Sequence, residues 1–209
     1  MKDLIIIGAG GMGRSFYDIA VGSIGYLSEF RIKGFLDDNI YQLDSYEGYP
    51  PILGTISDYT PAENDIFICS IGDVETKKKC SVNMIDKGGV FVTLISKMAN
   101  ISKNSKIGKG SVIAPYAILG TDCLIGDNSL IQSFAVIGHD ARIGCWTRID
   151  THVTCVGGVI IGDEVTLHTG AIINHKVVVE KGACVGAGSF VVKRVKTGTT
   201  VYGNPAVKL

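Results

Sequence analysis

Residues 119–149 read LGTDCLIGDNSLIQSFAVIGHDARIGCWTRI, and an aliphatic side chain returns at every sixth position of this stretch. The same frame extends in both directions without an insertion, and the residue four positions after each aliphatic is small or β-branched. We call these aliphatic positions rungs, and only Cys155 among them is not Leu, Ile or Val. The rungs are Ile95, Ile101, Ile107, Ile113, Leu119, Ile125, Ile131, Ile137, Ile143, Ile149, Cys155, Ile161, Leu167, Ile173, Val179, Val185 and Val191.

A period of six with one inward aliphatic side chain predicts a parallel β-helix, in which three short strands make a triangular coil and successive coils stack. An ordinary sandwich of short strands would not keep one frame over this length. Glycine often follows the rung directly, as at Gly108, Gly126 and Gly138, and we expect it to supply backbone freedom at the corners of the coil.

Composition excludes several classes of function. The chain has 209 residues, 46% of them hydrophobic, which is enough for one large domain or two small ones. Twenty basic and twenty acidic side chains cancel, so no overall field favours nucleic acid or an anionic membrane as a partner. The six cysteines form no CxxC pair, which indicates a reducing compartment. The first residues contain neither a signal peptide nor a membrane span, and we expect a cytoplasmic protein.

The chain begins with a strand, a glycine turn and a helix. The aliphatic run over residues 3–7 is typical of a strand buried on both faces. Residues 8–13 read GAGGMG and match G-x-G-x-x-G, in which glycines let the backbone approach a phosphate and the next helix offers free N–H groups. Helical spacing follows over residues 14–21. A tight turn without a ligand is the alternative interpretation of this loop.

A second strand, over residues 32–36, ends in Asp37 and Asp38, where a Rossmann-type unit places its ribose-binding acid. The remaining predicted elements are a strand over 66–70, a helix over 74–86 and a strand over 90–94. The sequence therefore predicts a small Rossmann-like parallel α/β domain over residues 1–94 and an all-β parallel β-helix over 95–209. About ninety residues are too few for both halves of a dinucleotide site, so a nucleotide or nucleotide-linked compound fits better than NAD, with hydride transfer as the weaker alternative.

The hexapeptide frame places the four histidines. Residues eighteen apart stack on neighbouring coils, about 4.8 Å away. His139, Gly157 and His175 therefore share one corner edge, with Asp140 beside His139. A carboxylate can hold a histidine in one tautomer and make it a better base, so this pair is the best catalytic candidate. An exposed turn histidine beside a solvated acid is the alternative.

The other histidines carry weaker predictions. His168 lies eighteen residues after Asp150, which predicts a structural pair, although an adjacent subunit's site could employ it. No partner for His152 is evident. No His or Cys spacing typical of metal ligands occurs, so we expect no metal.

Five motifs carry a resemblance to a known family. They are residues 7–13 (IGAGGMG), 35–38 (FLDD), 70–73 (SIGD), 137–140 (IGHD) and 203–206 (GNPA). With the repeat, they make nearly the whole chain resemble the sialic acid O-acetyltransferase-like hexapeptide acyltransferases, most closely the N-acetyltransferases of nucleotide-linked 4-amino-4,6-dideoxy sugars. The resemblance implies a left-handed β-helix preceded by a nucleotide-sugar-binding domain.

The same resemblance implies a reaction. Such enzymes are similar in being homotrimers that bind acetyl-CoA between neighbouring β-helices, use no metal, and acetylate the sugar's 4-amino group in surface-glycan precursor synthesis. His139 matches their general base, Asp140 the acid that orients it, and Gly157 the N–H that meets the thioester oxygen. Two alternatives remain open: a sugar O-acetyltransferase acting on sialic acid or another sugar, and a non-catalytic sugar-nucleotide-binding trimer.

The resemblance also implies binding residues. Those for acetyl-CoA are Gly157, Gly158, Thr169, Gly170, Gly186, Ala187, Gly188, Asn204 and Pro205. Those for the substrate nucleotide are Gly8, Gly10, Gly11, Met12, Gly13, Asp37, Asp38, Ile71 and Gly72. Some relatives carry histidine where this chain has Met12, so that residue's contact does not carry over. Lys193 and Arg194 are either phosphate partners or a solvated basic turn. Nothing in the sequence separates uridine, thymidine and guanosine diphosphate sugars.

Overall fold

A computed structural model describes residues 1–209. The chain divides into two compact units, Met1–Ser96 and Lys97–Leu209. No helix in either unit has the length and apolar character needed to cross a membrane. All six cysteines are free thiols.

The first unit contains a four-stranded parallel sheet of order β2-β1-β3-β4. Its elements are β1 (Lys2–Ile7), α1 (Gly11–Val21), β2 (Phe30–Leu36), β3 (Asp65–Cys69), α2 (Val74–Asp86), β4 (Val90–Phe91) and the short β5 (Leu94–Ile95). Leu4, Ile5, Ile6 and Ile7 are fully buried, which confirms the interpretation of the aliphatic run as a central strand. The carboxyl ends of β1, β2 and β3 meet at one edge, since all three strands run parallel.

The helices of this unit follow the sequence closely. The α2 helix spans the residues predicted for it, and Asp73 caps its N-terminus by accepting a hydrogen bond from the Thr76 N–H. The α1 helix begins at Gly11, three residues before the predicted start, because the last glycines of the loop already form its first turn. The Arg14 N–H donates to the Gly10 carbonyl and closes that turn at 3.0 Å.

The second unit is a left-handed parallel β-helix built from strands of two residues. We name its three faces by their first strands. The β6 face comprises β6 (Asn100–Ile101), β9 (Ile118–Leu119), β12 (Val136–Ile137), β15 (Thr154–Cys155), β18 (Ile172–Ile173) and β21 (Phe190–Val191). The β7 face comprises β7 (Lys106–Ile107), β10 (Leu124–Ile125), β13 (Arg142–Ile143), β16 (Ile160–Ile161) and β19 (Val178–Val179). The β8 face comprises β8 (Val112–Ile113), β11 (Leu130–Ile131), β14 (Arg148–Ile149), β17 (Thr166–Leu167), β20 (Cys184–Val185), β22 (Thr200–Gly203) and the antiparallel β23 (Ala206–Lys208).

The rungs form the interior as predicted. Strands pair in a register of eighteen residues, so that Ile137 lies beside Cys155 and Cys155 beside Ile173. Every rung from Ile113 to Val191 is at most 4% exposed. Successive residues of a strand point to opposite sides, so the residue before each rung points outward, and Ile160 on the β7 face is 47% exposed.

The expected reason for glycine after the rung is wrong. Left-handed φ values occur three residues after the rung instead, for example 59° at Asp140 and 60° at His152. Glycine directly after the rung is required by close approach. A Cβ on Gly138 would lie 2.6 Å from the Gly157 nitrogen, and one on Gly126 would lie 2.6 Å from the Cys145 nitrogen. Stacked coils therefore touch backbone to backbone at these positions.

An inward and an outward isoleucine provide a matched test of the interior. We expect Ile149→Ala to lower the free energy of unfolding by about 2–5 kcal/mol, because it leaves a cavity between stacked coils. Ile160→Ala removes the same atoms from a half-exposed position and should cost less than about 1 kcal/mol. Urea unfolding followed by circular dichroism measures both, and equal losses would contradict the assigned interior.

Candidate functional site

The corner between the β6 and β7 faces carries the predicted catalytic residues. The Gly158 N–H donates to the His139 carbonyl at 2.8 Å, and the Lys176 N–H donates to the Gly157 carbonyl at 3.2 Å. These bonds join three successive coils. The structure therefore places His139, Gly157 and His175 along one edge, in the predicted order.

His139 and Asp140 form a hydrogen-bonded pair at this corner. The imidazole Nδ1 lies 2.7 Å from Asp140 Oδ2, so the aspartate reaches the ring despite its short side chain. An ionised carboxylate only accepts hydrogen bonds, which assigns the proton to Nδ1 and leaves a lone pair on Nε2. Both side chains are about two-thirds exposed, at 64% and 67%. Nε2 is thus a basic atom open to a substrate.

Gly157 lies directly against this basic atom. A Cβ on Gly157 would sit 2.5 Å from His139 Nε2 and 2.7 Å from Cε1, so no larger residue fits without moving the ring. The Gly157 N–H donates to no acceptor within the chain. The corner therefore places a proton acceptor against a glycine whose backbone N–H is free. This is the arrangement needed to remove a proton and stabilise negative charge on an oxygen.

The residues predicted to bind acetyl-CoA are not gathered at one place in a single chain. Gly157 and Gly158 lie on the catalytic corner. Thr169, Gly170, Ala187 and Gly188 lie on the other corner of the β6 face, which joins it to the β8 face. Gly186 follows β20, where a Cβ would lie 2.4 Å from the Tyr202 ring, and Asn204 and Pro205 form the turn between β22 and β23. The whole width of the β6 face separates the two groups.

The corner joining the β8 and β6 faces also carries a stack of aromatic rings that was not predicted from the sequence. Tyr116 stacks on Phe134 with ring centroids 5.0 Å apart, and Phe134 stacks on His152 at 5.1 Å. His152 therefore has a partner, and the eighteen-residue spacing of these three residues was the signal that would have found it.

His168 pairs with Asp150 as predicted, but in a larger cluster. Asp150 is only 4% exposed and accepts hydrogen bonds from Arg148 Nε at 2.6 Å and Gln132 Nε2 at 2.7 Å. His168 Nδ1 lies 3.2 Å from the same carboxylate. Gln132, Asp150 and His168 are eighteen residues apart, so the frame could have predicted all three together.

In the first unit, the glycine loop lies at the carboxyl end of β1. Two of its glycines are required by the fold: Gly8 has a φ of 96°, and a Cβ on Gly13 would lie 2.1 Å from the Gly8 carbonyl oxygen. A Cβ on Gly10 would meet nothing within 4 Å, and one on Gly11 only Arg14 Nη2 at 3.9 Å. A tight turn alone accounts for Gly8 and Gly13. It leaves Gly10 and Gly11 as uncovered backbone that a ligand can approach.

Asp37 and Asp38 reach this region in different ways. Asp37 uses both carboxylate oxygens on backbone donors, the Ala9 N–H at 2.8 Å and the Asn39 N–H at 2.9 Å. Asp38 uses only Oδ1, on the Ile56 N–H at 3.0 Å. Asp37 therefore ties the glycine loop to the end of β2, while Asp38 keeps one oxygen for another partner.

The remaining predicted nucleotide residues border the same loop. Met12 lies in the first turn of α1, and Ile71 and Gly72 follow β3. A Cβ on Gly8 would lie 3.4 Å from the Ile71 side chain, so Ile71 adjoins the loop.

The two predicted phosphate partners, Lys193 and Arg194, differ in their surroundings. Arg194 pairs with Glu180 at 3.2 Å, which favours the structural interpretation of that residue, whereas Lys193 is exposed. No group of three or more His, Cys, Asp or Glu side chains is arranged to hold a metal ion.

Comparison with known proteins gives matches over both units. The PglD N-terminal domain model matches residues 3–84, and the GMPPB C-terminal domain model matches residues 90–187. The chain is 28% identical over 117 residues to the UDP-N-acetylbacillosamine N-acetyltransferase of Bacillus subtilis (strain 168). It is 31% identical over 118 residues to the uncharacterized protein L142 of Acanthamoeba polyphaga mimivirus.

These two sequence matches cover only part of each chain, whereas one solved structure matches this chain over its whole length. They cover 54% of this chain and 51% of the Bacillus protein, and 56% of this chain and 22% of the viral protein. The chain thus spans about half the length, or less, of these two relatives. The acetyltransferase domain of PglB from Neisseria gonorrhoeae FA1090 in complex with acetyl coenzyme A is 28% identical, with a TM-score of 0.89. That comparison covers 100% of this chain and 99% of the PglB chain.

The two aspartates provide a matched test of the glycine loop. In Asp37→Asn the new amide must turn its NH₂ group toward one of two backbone donors, which should lower the free energy of unfolding by about 1–3 kcal/mol. Asp38→Asn can keep its carbonyl on the Ile56 N–H and should change stability by less than about 0.5 kcal/mol. Urea unfolding measures both variants. A larger loss for Asp38→Asn would contradict the role given to Asp37.

Proposed function

We propose that the chain is a member of the nucleotide-sugar N-acetyltransferase family and transfers an acetyl group from acetyl-CoA to the 4-amino group of a nucleotide-linked 4-amino-4,6-dideoxy sugar. The observation that carries this proposal is the contact of His139 with Gly157 beside Asp140. The similarity to the UDP-N-acetylbacillosamine N-acetyltransferase of Bacillus subtilis and to the acetyl-CoA complex of the PglB domain supports an amino-sugar acceptor and acetyl-CoA as donor. The product fits the synthesis of surface-glycan precursors.

In the proposed reaction, His139 acts as general base. Its Nε2 accepts a proton from the amine as the amine nitrogen attacks the thioester carbonyl carbon, which forms the C–N bond. The C–S bond then breaks, the carbonyl is restored, and the sulfur leaves with the electron pair and takes up the proton from the imidazolium. Asp140 holds Nδ1 and stabilises the imidazolium while it exists.

Gly157 is the proposed oxyanion donor. Its N–H has no acceptor in the chain and the residue adjoins the base, so a thioester oxygen placed at this N–H would gain a hydrogen bond as negative charge develops. One such donor is worth about 3 kcal/mol of transition-state stabilisation. Alignment of amine and thioester supplies much of the remaining acceleration.

Direct transfer without an acyl-enzyme fits the surroundings of His139. The cysteines of the neighbouring rows, Cys123 and Cys155, are fully buried. Burial raises the pKa of the Cys123 thiol, and it raises the pKa of Cys155 to about 12, so both remain protonated and unreactive. An amine is already a good nucleophile and requires no covalent relay.

The substrate nucleotide is proposed to bind at the glycine loop of the first unit. Gly10 and Gly11 leave backbone uncovered, and Asp38 has a free oxygen for the ribose or base. In this account Asp37 holds the loop and contacts the ligand less directly.

A homotrimer with shared active sites is part of the proposal. The residues proposed to bind acetyl-CoA occupy two corners on opposite sides of the β6 face, and one chain does not bring them together. A neighbouring copy that presents the second corner to His139 would complete the site. This supports acetyl-CoA lying between two β-helices.

Replacement of His139 tests the mechanism. We expect His139→Ala to lower kcat by about 10² or more, because a positioned base is lost, and to leave the fold and CoA affinity unchanged. His175→Ala, on the same edge two coils away, is the matched control and should keep turnover near that of the native chain. A thiol-release assay with acetyl-CoA measures both, and unchanged turnover in His139→Ala would remove it from the mechanism.

A panel of acceptors tests the function itself. Thiol release that depends on a nucleotide-linked 4-amino sugar, with formation of the amide, is the expected result. Release only with sialic acid or another sugar hydroxyl would replace it with O-acetylation, and no release with any acceptor would favour a non-catalytic binding protein.

A further inference from the structure

We propose that Arg14 is the counter-ion for the diphosphate of the nucleotide-linked substrate and that Tyr46 holds its guanidinium in position. The proposal rests on the proposed binding of a nucleotide at the glycine loop. Arg14 is the first residue after this loop and lies in the first turn of α1, where its N–H donates to the Gly10 carbonyl.

The guanidinium lies between the loop and an aromatic ring. Its Cζ atom is 3.6 Å from the centroid of the Tyr46 ring, a close cation–π contact. Its Nη2 atom is 3.9 Å from the point where a Cβ on Gly11 would lie. The charge is therefore held at the part of the loop that is free of covering side chains.

This arginine lacks a hydrogen-bond acceptor. No carboxylate pairs with it, and its Nη1 is buried without any hydrogen-bond partner. Arg31, Arg148 and Arg194 each pair with a carboxylate, at 2.7, 2.6 and 3.2 Å respectively. Buried donors in folded proteins are almost always satisfied, so the unpartnered Nη1 of Arg14, beside uncovered glycine backbone, indicates a site for an anionic acceptor.

A diphosphate suits the geometry. With one face of the guanidinium on Tyr46, its N–H donors lie in a fixed plane and can meet two phosphate oxygens at once. The uncovered backbone at Gly10 and Gly11 lets the anion come close. A carboxylate ligand would also satisfy the charge, but such a glycine loop is typical of sites that bind phosphate groups.

The contact with Tyr46 explains how the charge is oriented. Tyr46 is 46% exposed, so its ring contributes little to the interior of the unit. Its N–H donates to the Leu43 carbonyl at 2.9 Å, which fixes the turn that presents the ring to Arg14. Tyr46 is therefore a positioning residue and does not itself contact the phosphates.

Calorimetric titration of the full chain with UDP, GDP and dTDP tests the proposal, with ligand-observed NMR for the corresponding nucleosides. For the diphosphate that binds most tightly, we expect Arg14→Gln to weaken affinity about tenfold or more, as for the loss of a charge-assisted hydrogen bond. Affinity for the nucleoside should stay unchanged. Arg14→Lys keeps the charge but lacks the planar fork, so its affinity for the diphosphate should lie between those of the native chain and Arg14→Gln. Arg31→Gln removes an equal charge from an exposed pair and should bind like the native chain.

The outcomes separate this proposal from the function on which it rests. A native chain that binds none of the three diphosphates would overturn both. A native chain that binds one, with equal affinity in Arg14→Gln, would overturn the role of Arg14 alone. Equal weakening of nucleoside and diphosphate in Arg14→Gln and Arg14→Lys would assign Arg14 a structural role and also overturn it. Thermal unfolding of each variant identifies those that retain the native fold.

Discussion

The stacking of each rung on the rung eighteen residues away is the constraint on which the proposed catalytic corner depends. Because the interior admits one aliphatic side chain every six residues, the corners are fixed in register as well. That register puts Gly157 one coil above His139, and the missing side chain of Gly157 makes room for the imidazole. The packing of the interior thereby positions a basic nitrogen beside a free N–H at the surface.

The sequence predicted those features that repeat. A strict period translates into neighbours in space, which is why the strands of the β-helix and the edge containing His139 and His175 were predicted correctly. In the first unit, the single strand predicted over residues 90–94 is instead divided into β4 and β5. Prediction from the sequence failed where one residue type has two physical uses. Glycine after the rung suggested backbone freedom, yet at Gly138 it serves close approach between coils, and the left-handed conformation falls on Asp140 instead.

The directions of side chains and the paths of irregular loops could not be predicted from the sequence. Nothing in the order of Asp37 and Asp38 indicates that one uses both oxygens on backbone donors while the other keeps one free. The contact of Arg14 with Tyr46 depends on the path of the turns after β2, which no periodicity encodes. The stack containing His152 is different, because its eighteen-residue spacing was visible and only its meaning was missed.

A crystal structure of the full chain with CoA and a nucleotide-linked 4-amino sugar tests whether His139 is the base that accepts the proton of the acceptor amine. The decisive quantity is the distance from the acceptor amine nitrogen to His139 Nε2. We expect a hydrogen-bond distance of about 3 Å, with the sulfur of CoA on the same corner near the Gly157 N–H. An amine bound away from His139, with a different side chain within reach of its proton, would contradict the role of His139 as general base.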